Sequence, residues 1–124
     1  MVLILYPTAF IVIYPRFGPV DTMTAFCQDE SIGQYSRAYA LLSSRAQHAV
    51  SLAAFSRASD NVNLATCAVD GGIPFIFGGT QSSLSVTYLA GDAGGGITGS
   101  MSFVRENGQW RVDAMTPDLF HLTS

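Results

Sequence analysis

Residues 100–115, SMSFVRENGQWRVDAM, place two alternating runs on either side of Asn107-Gly108. Both turn residues tolerate positive φ, and Asn-Gly between alternating strands is the strongest short hairpin signal a sequence offers. Trp110, Val112 and Ala114 fall on one face of the second strand, and Arg111 and Asp113 on the other. Upstream, QSSLSVTYLAG puts Leu84, Val86 and Tyr88 on one face and Ser83, Ser85 and Thr87 on the opposite one, as expected of a half-buried strand. The glycine-rich stretch GDAGGG joins these two strands. Its Gly94-Gly95-Gly96 run lacks the strand–helix setting of a phosphate-binding loop, so it reads as a hairpin loop. IPFIFGGT, bounded by glycines and containing Pro74, is expected to be an edge strand or a loop plug. Before it, Val62, Leu64, Thr66 and Ala68 alternate with Asn63, Ala65, Cys67 and Val69, a strand running to Asp70-Gly71-Gly72.

The first half of the chain has a different period. Pro19 suits a first helical turn, because its missing N–H is not needed there, and Asp21 complements the positive end of the helix. Val20, Met23, Phe26 and Cys27 form one stripe at helical spacing, and Gly33 ends the run. A second helix is expected over QYSRAYALLS, with Tyr35, Ala38, Tyr39 and Leu42 on one face, followed by a short helical stretch in SSRAQHAVS. Ser51 is placed to cap another helix, LAAFSRAS, burying Leu52 and Phe55. Helices first and a meandering antiparallel sheet second make an α+β domain.

The chain of 124 residues is long enough for one domain with its own core. Its charged fraction of 12% falls well below the roughly 25% usual for soluble domains. All six basic residues are arginine, scattered along the chain, and the formal net charge is −3. Nucleic-acid binding needs a basic patch that neutralises phosphates, so this distribution argues against it.

Residues 1–15, MVLILYPTAFIVIYP, are uncharged and apolar, too short for a membrane span of about 20 residues. The length suits a secretory apolar region, although no basic segment precedes it and no small-residue cleavage site follows. Residues 1–18 are therefore set apart from a domain over 19–124. They are expected to be an export signal or membrane-anchor remnant. The competing readings are an element packed into the core or a dimer interface, and an incorrectly assigned start.

Cys27 lies on the helical stripe and Cys67 in a strand. Paired, they tie a helix to the sheet and imply work outside a reducing cytosol; the competing reading is two buried free thiols. A metal site is not expected, since no CxxC or HxxxH spacing is present, and no cofactor motif is found.

The order of elements, together with AFCQDESIGQYSRAYALLS, the AAF that follows, VNLATCAV and SMSFVRENGQWRVDAM, resembles the NTF2-like superfamily over residues 19–116. Within it, the chain is similar to small exported bacterial domains associated with lipoproteins and membrane-anchored proteins. In those, a helix residue before a Tyr-x-x-Ala-Tyr helix and a residue of the first long strand are both cysteine in some members. The resemblance implies a cone, with amino-terminal helices packed on a curved antiparallel sheet. It says little about activity, because this superfold hosts enzymes, binding modules and scaffolds.

In enzymatic NTF2-like families Tyr, Asp and His side chains line the cone. The corresponding weak catalytic candidates here are Tyr35, Tyr39, Asp113 and His48, each with a plainer reading. Tyr35 and Tyr39 pack aromatic bodies in the core with their hydroxyls at the rim. Asp113 belongs to a solvent-wetted face with Arg111. His48 is a surface residue, and His121 lies in a loose tail. Tyr35, Tyr39, Tyr88, Phe103 and Trp110 are the candidate pocket lining, and with Phe75 and Phe77 the large aromatics either line a hollow cone or plug it.

The leading expectation is an exported, disulfide-stabilised, non-catalytic module that binds a protein partner or a hydrophobic small molecule. Its location would be extracytoplasmic, secreted or anchored through residues 1–17, with a homodimer as a further option. The alternative is an isomerase, dehydratase or cyclase acting in a hydrophobic cone pocket, which needs at least two convergent polar groups.

Overall fold

The computed structural model describes residues 18–69, 75–77, 80–90 and 96–123. The leader over 1–17, the turn at Asp70-Gly71-Gly72, Pro74, the loop glycines Gly94 and Gly95, and the side chains of Phe75 and Phe77 lie outside the described residues. Four helices come first: α1 (Gly18–Ser31), α2 (Tyr35–Ala40), α3 (Ser44–Ala49) and α4 (Leu52–Val62). Five strands follow: β1 (Leu64–Val69), β2 (Phe75–Phe77), β3 (Gln81–Ala90), β4 (Gly96–Glu106) and β5 (Gln109–Thr116). The sheet is antiparallel and curled, in the order β1-β3-β4-β5. Strand β2 shares the β1 edge of β3, opposite Gln81–Ser83, while β1 covers Val86–Ala90. This is an α+β arrangement compatible with a cone.

The stripe expected on α1 is buried at Met23, Phe26 and Cys27, and it continues one turn further to Glu30. Helix α2 is shorter than its pattern suggests. Instead of continuing to Ser43, the chain straightens after Ala40 and pairs with the free edge of β5. Ser43 N–H donates to Val112 O at 2.7 Å, and Val112 N–H donates to Leu41 O at 2.9 Å. The bridge covers a sheet edge that would otherwise expose unpaired backbone groups. Serines then start both following helices: Ser43 Oγ accepts from Ala46 N–H, and Ser51 Oγ accepts from Ala54 N–H, each at 3.1 Å. Helix α4 runs on to Val62, so β1 starts at Leu64, after Asn63 closes the helix in the left-handed region at φ 51°. Leu52 is 41% exposed, contrary to expectation, because the buried stripe of α4 begins one turn later at Phe55, Ala58 and Ser59.

Leu84, Val86 and Tyr88 of β3, with Met101 and Phe103 of β4, face the helices and are buried. The β4–β5 hairpin turns at Asn107 (φ 52°) and Gly108 (φ 79°), in agreement with its sequence. The alternation on β5 changes phase at a bulge, however. Phe103 pairs with Val112 and Ser102 with Ala114, leaving Asp113 as the extra residue. Val112 and Met115 are therefore buried, and Ala114 is only half-buried. At Gly99 the sheet comes too close to its neighbour for a side chain: a Cβ there would lie 1.8 Å from Thr116 O and 3.0 Å from the Tyr88 ring.

The carboxyl-terminal tail is not loose. Phe120 and Leu122 are fully buried, and the Phe120 ring sits 5.6 Å from Phe26 and 5.4 Å from Phe55. Asp118 holds the tail's turn by accepting from Leu122 N–H at 2.7 Å and Thr123 N–H at 3.0 Å. At about 1.5–3 kcal/mol per buried large apolar side chain, this plug contributes as much as a strand's inner face. Cys27 and Cys67 form a disulfide, Cα–Cα 5.7 Å, that fastens α1 to β1.

Candidate functional site

Helix α2 positions Tyr39 against the end of α3. Its hydroxyl donates to Gln47 O at 3.1 Å and to Val50 O at 2.9 Å, and Gln47 Nε2 donates back to Tyr39 O at 3.0 Å. The ring lies 5.5 Å from Phe55. Tyr39 thus clips two helices together, with its polar atom committed to backbone carbonyls. Tyr35, at the start of α2, is half-buried. Burial raises its phenol pKa, and the negative charges of Asp60 and Glu30 raise it further.

Asp113, the bulge residue, turns its carboxylate towards α3. Oδ1 accepts from Ser43 Oγ at 2.7 Å and from Arg45 Nε at 3.0 Å. The Arg45 guanidinium also donates to Asp113 O and, at 3.1 Å, to Leu122 O. One arginine therefore ties β5, α3 and the tail together. His48 is exposed on α3, with Nδ1 2.8 Å from Ser44 O. None of Tyr35, Tyr39, Asp113 and His48 shares a hydrogen-bond partner with another of the four.

Of the candidate pocket lining, Tyr88 and Phe103 are buried on the inner face of the curled sheet. The Tyr88 hydroxyl donates to Ser100 O at 2.7 Å, and burial pushes its pKa upward. Trp110 sits at the rim. There it forms an open groove of about 900 Å³ with Gly18, Asp21, Thr22, Leu41 and Gln109. Thr22 Oγ1 donates to Trp110 O at 3.0 Å, and the Arg105 guanidinium lies 5.8 Å from the indole centroid. An aromatic body beside a carboxylate and a carboxamide suits docking of a ligand or peptide side chain; among the described residues it offers no nucleophile with an adjacent base. A second, shallower groove of about 460 Å³ lies between Arg45, Gln81, Arg105, Glu106 and Asp113. Its charges are largely engaged, since Ser44 N–H and Oγ donate to Glu106, and Arg45 pairs with Asp113. Among the described residues no group of three or more His, Cys, Asp or Glu side chains is arranged to hold a metal ion.

Glu30 was not singled out among the candidate residues of the sequence, yet it is buried. Its position, one turn after Phe26 and Cys27 on the buried stripe, was a legible signal. The residue is 3% exposed; Oε2 accepts from Ser59 Oγ at 3.0 Å, and Oε1 has no partner among the described residues. Burial pushes its pKa up, the Ser59 bond pulls against that, Asp29's charge adds to it, and it comes to about 7.

No family model matches the sequence, and no curated protein is significantly similar to it.

Proposed function

We propose that the chain is an exported, non-catalytic domain of the NTF2-like kind, stapled by its disulfide and acting through its surface on a protein partner or a small hydrophobic ligand. The observation that carries this reading is the state of the cone interior. Phe26, Phe55, Tyr88, Phe103 and Phe120 occupy it as buried side chains, and the hydroxyls of Tyr39 and Tyr88 are committed to backbone carbonyls. A proton-transfer enzyme of this size needs two polar groups converging on one deep pocket. Tyr35, Tyr39, Asp113 and His48 are instead engaged with separate partners. The groove around Trp110 is the natural docking position, because it joins an aromatic surface to the Asp21 carboxylate and to the Gln109 carboxamide, whose oxygen accepts from Arg111 at 3.0 Å.

The disulfide supports export, since such bonds persist in oxidising compartments and are rare in the cytosol. The test is acid-quenched thiol trapping of the full chain in its native cells, combined with protease added from outside. The proposal expects Cys27 and Cys67 fully oxidised in a pool that external protease reaches. Two alkylatable thiols in a protected cytosolic pool would overturn it.

A further inference from the structure

Glu30 occupies the corner where the end of α1 meets the start of α2 and the last turns of α4. The groups that face it there offer no positive charge. Helix α1 brings Asp29, α2 brings Tyr35, and α4 brings Ser59 and Asp60. Strand β1, also packed on α1, contains no ionisable side chain besides the disulfide-bonded Cys67. The nearby Arg37 is directed elsewhere, with its Nε 3.9 Å from Asp29 and its side chain largely exposed. Glu30 is also in the last turn of α1, where the helix dipole disfavours a negative side chain. An ionised carboxylate here would have one donor, Ser59 Oγ, and one buried oxygen with none. Burying such an uncompensated charge is costly, whereas the neutral acid is tolerated.

We propose that Glu30 makes the α1–α4 corner a pH-sensitive latch, closed while its carboxyl carries a proton and loosened when it ionises. Loosening admits water to the orphan Oε1 and frees the last turns of α1 and α4, leaving the sheet and the Phe26–Phe55–Phe120 ring cluster in place.

The sign follows from proton binding. The closed corner holds its proton up to about pH 7, and an opened, solvated carboxyl holds it only to the ordinary value of 4.5. The opening equilibrium therefore rises about tenfold per pH unit between these values, by up to about 300-fold in total, and is level above them. The device does not depend on where the domain resides.

The experiment is amide hydrogen exchange on the full chain from pH 5 to 8, expressed as protection factors so that intrinsic exchange cancels. Residues 28–32 and 59–63 are compared with the β4–β5 hairpin. Protection at the corner should fall about 40-fold between pH 5 and 7 while the hairpin stays constant. Glu30→Gln, an uncharged near-isostere, should keep the corner protected throughout. Ser59→Ala, which removes the one donor favouring the charge, should extend the fall to higher pH while its onset stays the same. Flat corner protection in the native chain, or the same fall in Glu30→Gln, would overturn the latch. So would a Glu30 carboxyl resonance titrating near its ordinary value.

Discussion

Replacing Phe120 by Ala tests whether the carboxyl-terminal tail belongs to the core. Phe120 is fully buried and belongs to an aromatic cluster, 5.6 Å from Phe26 and 5.4 Å from Phe55. Its removal loses the transfer free energy of a whole ring and leaves a cavity that surrounding rings fill only in part. Substitutions of this kind cost about 3–5 kcal/mol. The tilted and edge-on ring contacts sit within that figure, at about 0.5–1.5 kcal/mol per pair. The tail is held by further bonds at Asp118 and by Arg45 on Leu122 O, so it should stay docked and the cavity should persist. For a chain of this size each kcal/mol moves the melting temperature by about 4 °C, giving an expected fall of roughly 12–20 °C. The assay is urea unfolding with the disulfide intact, followed by circular dichroism and by Trp110 fluorescence. The two probes should coincide, with an unchanged m-value. A loss below about 1 kcal/mol would refute the reasoning, since it would mean that the ring contributes no more than an exposed side chain.

Reducing the disulfide releases a constraint across a sequence separation of 40 residues, worth about 4 kcal/mol in the chain-entropy account. Thermal melts with and without reductant should differ accordingly, and a Cys27→Ala/Cys67→Ala double variant should be insensitive to reductant; equal melts for the native chain would contradict the staple. Tyr39→Phe keeps the ring against Phe55 and removes a hydroxyl bonded to two carbonyls. It should cost about 1–2 kcal/mol in denaturant unfolding, and no measurable loss would show that the hydroxyl is not spent on that clip.

The parts of this fold that were legible in the sequence are those set by local rules. Asn107-Gly108 specifies its own turn, the Met23–Phe26–Cys27 stripe has the helical period, and Leu84, Val86 and Tyr88 alternate without interruption. The parts that were misread depend on distant partners. Helix α2 has a pattern that runs through Ser43, yet Leu41–Ser43 is drawn into a bridge with Val112, about seventy residues further on. The bulge at Asp113 shifts the phase of β5, so that Met115 and not Ala114 is buried, and nothing in the local alternation announces it. Phe120 and Leu122 belong to no periodic element, which makes a packed tail look loose.

The candidate site shows the same division. Cys27 and Cys67 stood out as the two cysteines of the chain, one on a helical stripe and one in a strand, and they are joined. The roles of Tyr39 and Asp113 depended on where α3 docks, and that is a tertiary outcome. Glu30 stood in plain view on the buried stripe, but an acidic side chain near a helix end is ordinarily solvated, so periodicity alone did not separate it from a surface residue.

The claim on which the account depends is that the cone is filled and the domain works from its surface. The most direct measurement is a crystal of the full chain pressurised with xenon, which enters apolar voids of atomic size. The account predicts no xenon among Leu84, Val86, Tyr88, Met101 and Phe103, with any occupancy confined to the rim beside Trp110. A well-occupied xenon site enclosed by those inner side chains would contradict it, and would return the interior to consideration as a ligand pocket.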